Sequence, residues 1–249
     1  MIVHIPFSSS DGNACRVYTQ STSILLDCGV SKRMLFSESP FPLDAVFVSH
    51  HHNDHIRGTG IIARATGATV FLQQEVHRHI TLRNSTFYKN CSIEYIQAGK
   101  KYDIGDLQVE VQETSHDGIG GLYFIVTEME TGQRYGHLTD TGIITEKMVS
   151  DLQSCHGLLL EANHDRSILD SYPEYPEFLK ARIRGDRGHL SNRQILDFIA
   201  ERLNLDQISW IAFGHLSPRT NHPDIVLQTA CDEFPDYDRF KIAPACLPL

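Results

Sequence analysis

Short apolar runs bounded by turn residues alternate with stretches of helical spacing along most of this chain. Ile2 to Phe7, Cys15 to Tyr18 and Ser23 to Leu26 read as strands. The first two are separated by the turn Ser8-Ser9-Ser10-Asp11-Gly12-Asn13, and the third ends at Asp27-Cys28-Gly29. Ala45 to Val48 is a buried run bounded by Pro42 and a histidine-rich loop, after which Ile61, Ile62 and Ala65 fall at helical spacing. Thr69 to Leu72 predicts a strand and Gln74 to Leu82 a helix, with His77 and His79 assigned to its solvated face. Asn90 to Gln97, Lys101 to Ile104 and Leu107 to Glu113 read as strands turning at Gly99 and Gly105, and Leu122 to Thr127 and Arg134 to Leu138 as a hairpin around Thr131-Gly132. Thr145 to Leu152 predicts a helix, Gly157 to Leu160 a buried strand, and Gln194 to Leu203 a helix capped by Ser191 or Asn192. Ile208 to Phe213 is the final buried strand, and a helix over Pro223 to Cys231 closes the fold. No repeat of constant period, low-complexity tract or linker divides the chain, which reads as one domain over residues 1–249.

The chemistry lies at strand ends. Ser49-His50-His51-His52-Asn53-Asp54-His55 follows the run Ala45 to Val48, on a strand-to-helix loop where binding residues are usually placed. His50 and His52, two apart, point the same way if the extended geometry carries on, while Asp54 and His55 near the helix start face a second point. That suits two adjacent metal ions better than one, because four ligands from one loop crowd a single tetrahedral centre. A polar loop whose histidines only titrate is the competing reading, and the density of histidines here weighs against it. His116 opens a glycine-rich loop after Leu107 to Glu113, Asp140 follows Arg134 to Leu138 beside a glycine, and His215 follows Ile208 to Phe213. Asp140 has two oxygens with which to span two cations; His137 alternates away from that position and reads as a non-ligand. Asp27, at another strand end, either orients a ligand histidine from behind or simply forms the turn before glycine. Lys180, Arg182, Arg184, Arg187 and Arg193 cluster around a helix start and can hold phosphate groups; for any single one of them a solvated charged face is the better reading.

Composition sets the outer limits. The chain of 249 residues is 41% apolar and 21% charged, ordinary for a globular protein, and its net charge of −9 argues against broad attraction to nucleic acid or anionic membranes. An acidic substrate at a locally positive site is still compatible, since bound divalent ions outweigh nearby carboxylates. Cys15, Cys28, Cys91, Cys155, Cys231 and Cys246 are scattered with no C-x-x-C pair, which favours reduced thiols over a disulfide framework or a cysteine-based zinc site. The start lacks the basic and apolar regions of a signal peptide, and no apolar run is long enough to span a bilayer. A cytoplasmic protein without membrane attachment is the simplest expectation.

The string His50-x-His52-x-Asp54-His55 resembles the H-x-H-x-D-H signature of the metallo-β-lactamase-fold hydrolases. His116, Asp140 in Asp-Thr-Gly, the late His215 and the early Asp27 follow in matching order, so the resemblance runs from about residue 8 to 224. It implies an α/β fold, an αββα sandwich of two mixed sheets flanked by helices. It also implies that His50, His52 and His116 hold one divalent ion, that Asp54, His55 and His215 hold the other, and that Asp140 bridges them. Zinc, manganese and iron all suit such donors. Two cations roughly 3.5–4 Å apart can share and activate a water and clamp a phosphoryl oxygen, with Asp54 also placed to accept a proton. Gly12-Asn13-Ala14, Glu161-Ala162-Asn163-His164-Asp165, Gly188-His189-Leu190-Ser191-Asn192 and His215-Leu216-Ser217 with Asn221 are similar to a small single-domain bacterial branch described as 5′-to-3′ DNA exonucleases. On that likeness His189 serves the leaving oxygen as general acid or stabilises the transition state, the alternative being a histidine packed at a helix start. Asn163, Ser191, Asn192, Arg187 and Arg193 are expected at the substrate. The acidic balance and the absence of a separate nucleic-acid module or β-CASP insertion depart from what a duplex grip requires. DNA as substrate therefore stands beside two other expectations: the same fold acting on a small cyclic phosphate diester, thioester or lactone, and a non-enzymatic metal-binding protein.

Overall fold

In the computed structural model, which describes residues 1–37 and 40–249, the strands assemble into two seven-stranded mixed sheets. The first contains β1 (Ile2–Ser9), β2 (Gly12–Tyr18), β3 (Ser23–Cys28), β4 (Ala45–Phe47), β5 (Thr69–Leu72) and β6 (Ile93–Tyr95). The second contains β7 (Lys101–Ile104), β8 (Leu107–Glu113), β9 (Leu122–Glu128), β10 (Arg134–Leu138), β11 (Gly157–Glu161), β12 (Trp210–Gly214) and β13 (Phe240–Ile242), and β14 (Ala245–Pro248) returns to pair with β1. The helices are α1 (Lys32–Leu35), α2 (Asn53–Ile56), α3 (Thr59–Thr66), α4 (Gln74–Arg83), α5 (Glu146–Gln153), α6 (Arg166–Ser171), α7 (Glu177–Arg184), α8 (Asn192–Arg202) and α9 (Pro223–Glu233). Each sheet is antiparallel on one side (β1 to β3, β7 to β10) and parallel on the other (β3 to β6, β10 to β13). The parallel halves need crossover helices, which accounts for the alternation of strand and helix in the chain.

Period-two alternation decides which core each side chain joins. Ile24, Leu26 and Phe47 point between the sheets toward Val109, Phe124, Leu159 and Ala212. Leu25 and Val46, one residue out of phase, meet Ile62 of α3 on the outer face. Leu158 and Leu160 likewise turn outward to Leu152 of α5 and Leu196 and Ile199 of α8. Strands covered on both faces read as continuous apolar runs, which is why β11 and β12 lack alternation in the sequence. Phe47 ties the layers together, stacked on Phe71 at 4.6 Å and edge-on to Phe124 at 5.9 Å; burying such a ring contributes about 1.5–3 kcal/mol.

The predicted α8 cap resolves to Ser191, whose side chain accepts from the Gln194 N–H while Gln194 reaches back. Some expectations change. The strand over 90–97 is confined to Ile93–Tyr95, the turn over 8–13 narrows to Ser10-Asp11, and the helix α9 does not close the fold, while α1, α6 and α7 stand where the sequence pattern marks no helix. After α9 the chain adds β13 and β14, one edge strand to each sheet, each only three or four residues long and therefore too short to stand out in the sequence.

Candidate metal centre

The C-terminal ends of β3, β4, β8, β10, β11 and β12 meet at one rim of the sandwich and bring the chemistry together. His50 follows β4, and His52 sits at the N-cap of α2, whose first turn holds Asp54 and His55. His116 follows β8, Asp140 follows β10, and His215 follows β12. Asp27, Asp140 and His215 adopt left-handed backbone with φ of 58°, 57° and 53°. Each such non-glycine residue costs on the order of 1–3 kcal/mol unless its surroundings compensate, and here the surrounding hydrogen bonds hold it. Gly29 shows the tightness of the packing, since a Cβ there would lie 1.5 Å from the Asp54 carbonyl oxygen.

Two donor groups face each other. In the first, His50 Nε2 is 2.9 Å and His116 Nε2 3.2 Å from His52 Nδ1. In the second, Asp54 Oδ2 lies 3.3 Å from His55 Nε2 and 3.4 Å from His215 Nε2. Asp140 reaches both: Oδ1 is 3.4 Å from His215 Nε2 and 3.7 Å from His116 Nε2, and Oδ2 is 3.1 Å from His55 Nε2. Yet Oδ2 is buried and outside hydrogen-bonding geometry with any group. Buried polar atoms are nearly always paired, so an orphaned carboxylate oxygen aimed among imidazole nitrogens fits a cation ligand. Sets of these donors, His50/His52/His116, Asp54/His55/His215 and His50/His55/Asp140, each converge within 4.8 Å.

A second layer of groups aims the rings. Asp27, fully buried, accepts from the Ser49 N–H and hydroxyl at 2.8 Å each and from His55 Nδ1 at 2.7 Å. His50 Nδ1 donates to Ser49 Oγ at 3.0 Å, and His116 Nδ1 to the Gly188 carbonyl at 3.2 Å. With Nδ1 committed as donor, Nε2 presents its lone pair to the centre. The sequence reading assigned no role to Glu161, although its position after an apolar strand matches that of Asp27. Its Oε1 accepts from His189 Nδ1 at 2.7 Å and His215 Nδ1 at 3.0 Å, and its Oε2 from the Thr141 and Leu190 N–H groups at 3.1 and 3.4 Å.

The electrostatics divide along the same line. Burial, reinforced by neighbouring histidines, pushes His50 well below the ordinary imidazole value and His52 to about 4. Those rings are neutral and lone-pair-bearing, as metal ligation requires. Burial also opposes charging His215, but Asp140, Asp54 and Glu161 outweigh it and raise its pKa to about 10. Asp140, Asp54 and Asp27 likewise hold His55 well above the usual range against its burial. Burial works against ionising Asp140 too, and His215 and His55 keep it ionised.

The remaining candidates separate. His189 packs 5.0 Å from the His116 ring and 5.3 Å from the His215 ring, partly exposed at the centre. Arg187 donates to the His116 carbonyl at 3.1 and 3.3 Å. Asn163 donates to Ser10 and to the His215 carbonyl, Ser191 caps α8, and Asn192 exchanges hydrogen bonds with Asn221. Arg193 points outward to Asp197 and Glu233, Arg182 pairs with Asp117, Arg184 with Asp170 and Glu177, and Lys180 donates to the Asp170 carbonyl. His137 bonds Tyr135 at 2.9 Å and belongs to none of the converging donor sets among the described residues. His77 and His79 are half-buried rather than solvated, because His77 bonds Tyr95 and His79 packs edge-on against His51 at 4.6 Å.

A fold of two mixed sheets under helices, with histidines and aspartates converging at one rim, defines a metal-dependent hydrolase of the metallo-β-lactamase fold. The chain belongs to the β-lactamase superfamily, whose domain model matches residues 22–203. It is 30% identical over 240 residues to exodeoxyribonuclease WalJ of Streptococcus pneumoniae, covering 93% of this chain and 87% of that one. Exodeoxyribonuclease YycJ of Bacillus anthracis is 26% identical over 227 residues, covering 88% and 83%. Among solved structures, zinc-bound PqqB from Methylobacterium extorquens superposes with a TM-score of 0.76 at 14% identity over the whole of both chains, which shows the shared fold. Among the described residues no helix is long and apolar enough to cross a membrane.

Proposed function

We propose that the chain is a dinuclear phosphodiesterase that degrades DNA from the 5′ end, acting as one catalytic domain over residues 1–249. The carrying observation is Asp140, which stands between the two donor groups: its Oδ1 is 3.7 Å from His116 Nε2 of the first and 3.4 Å from His215 Nε2 of the second, and its Oδ2 is 3.1 Å from His55 Nε2. His50, His52 and His116 would hold one divalent ion, Asp54, His55 and His215 the other, with Asp140 shared; nitrogen and oxygen donors suit zinc, manganese or iron. When bound, such a pair of ions lowers the pKa of a water and clamps phosphoryl oxygens.

The chain's own residues do the rest. Asp54, kept ionised by His55 and His215 in spite of its burial, accepts a proton at Oδ2. Glu161 accepts the Nδ1 proton of His189 at 2.7 Å, so the doubly protonated ring, its charge balanced by that carboxylate, has the Nε2 proton to pass to the leaving oxygen and returns to the neutral Nδ1–H form. Arg187, braced on the His116 carbonyl, sets a positive charge beside the reacting phosphate, while Asn163, Ser191 and Asn192 hold the loops that aim these groups. The names of the WalJ and YycJ relatives support DNA as substrate. The second reading, a small phosphodiester, draws on the net charge of −9 and on Arg182, Arg184 and Arg193 being spent on carboxylates.

Asp140→Ala tests the arrangement. The expected outcome is loss of bis-p-nitrophenyl phosphate hydrolysis together with a fall in metal stoichiometry measured by atomic emission. A variant that binds as much metal as the parent and turns over normally sinks the shared-ligand reading. Assaying the zinc- and manganese-loaded protein on end-labelled DNA, RNA and a cyclic phosphate then separates the substrates: turnover of the small ester with every polymer intact installs the second reading.

A further inference from the structure

The ligand set leaves a cleft beside the centre unexplained. A hollow of about 440 Å³ lies between α2 and the end of α4, lined among others by His52, Ile56, Ile80, Arg83 and Phe87. Its volume is in the range of small-ligand pockets, about 300–1,000 Å³. His52 belongs to the first donor group as well, so the cleft and the reacting centre share that side chain.

The lining has two kinds of chemistry. Phe87 is half-buried, edge-on to Tyr88 at 4.7 Å, and with Ile56 and Ile80, each 5% exposed, it supplies the apolar part of the lining. Arg83 is exposed and, among the described residues, has no hydrogen bond or ion pair, whereas Arg182, Arg184 and Arg193 are each held by carboxylates. His79 adds a buried Nε2 without a partner. An aromatic wall beside an uncompensated guanidinium matches a nucleotide, whose base stacks and whose phosphate takes the charge. In a duplex the base is already stacked and paired, so the match is to an unpaired strand. In a protein of net charge −9, a cation free of carboxylate partners beside the centre also favours the approach of a polyanion on that side.

We propose that this cleft is a nucleotide subsite: it takes one unpaired base of a DNA strand against Phe87, with the adjoining phosphate on Arg83, and fixes the side from which the strand enters the centre. This rests on the phosphodiesterase reading above. The test compares the parent with Arg83→Gln and Phe87→Leu, the latter keeping apolar volume, on a labelled single-stranded DNA oligonucleotide and on bis-p-nitrophenyl phosphate. The ratio of kcat/KM for the oligonucleotide to that for the small ester falls about tenfold or more in each variant, the change lying in KM. Arg83→Gln also lowers the slope of log KM against log salt by about one. A parent that degrades the oligonucleotide, with both variants keeping its ratio, overturns the subsite and leaves the nuclease reading standing. Variants that lose both substrates in proportion also overturn it, since the residues then act on the centre or the fold. A parent that hydrolyses only the small ester overturns the nuclease reading and the subsite together.

Discussion

Replacing Glu161 by Gln changes one atom at the point where two imidazoles and two backbone N–H groups share a carboxylate. Burial would raise the Glu161 pKa, but His189 and His215 bring it down to about 2, so the native group is ionised and accepts four hydrogen bonds. Glutamine cannot reproduce this in either orientation. With its oxygen toward the histidines, its NH2 faces the Thr141 and Leu190 N–H donors. Turned around, its NH2 donates to His189 and His215 Nδ1, which moves the ring proton to Nε2 and removes the His215 lone pair from the centre. Each lost hydrogen bond to a charged group is worth about 1.5–3 kcal/mol, and removing a partner that orients a metal-binding histidine typically costs about 10–100-fold in affinity or activity. The expected result for Glu161→Gln is a fall of that size in affinity for the His215-bearing site, read by zinc titration against a chromophoric chelator, with a comparable fall in kcat on bis-p-nitrophenyl phosphate. A variant with parental zinc affinity and turnover refutes the orienting role of Glu161.

His189→Ala should leave metal content intact, because the ring lies beside rather than within the three sets that converge without Glu161, while slowing turnover by about a hundredfold; parental turnover removes its proton-donating role. The chelated protein should melt highest near about pH 6.5, because His50 and His52, lowered in the fold, lose their contribution as pH falls below the ordinary imidazole value. His215 and His55, raised in the fold, contribute stability that is full below the ordinary imidazole value and lost as pH rises through about 10 for His215. Asp140, Asp54 and Glu161, lowered in the fold, contribute stability present above the ordinary carboxylate range and lost as pH falls through their depressed values. Thermal melts from pH 3 to 10 check this: a chelated protein whose midpoint is flat from pH 6 to 10 contradicts the charge assignment, and zinc should abolish the alkaline fall by replacing the protons.

Local pattern carried a large part of this molecule. β5, β7, β8 and β10 occupy the residues that their apolar runs and flanking turns mark, because strand period and turn chemistry are written in neighbouring residues. The same locality places His50, His52, Asp54 and His55 on one strand-to-helix loop, and puts His116, Asp140 and His215 each just beyond a strand. Tertiary structure decided which strand ends meet. It made Glu161 the common partner of His189 and His215, 28 and 54 residues away, and turned Asp27 toward His55. It also spent Arg182 and Arg193 on carboxylates while leaving Arg83 free at the cleft, and it gave the terminal residues to two sheet edges. Periodicity acts over a few residues and is legible in one dimension. The pairing of a carboxylate with an imidazole dozens of residues away depends on how two sheets stack, and that exists only once the cores are packed.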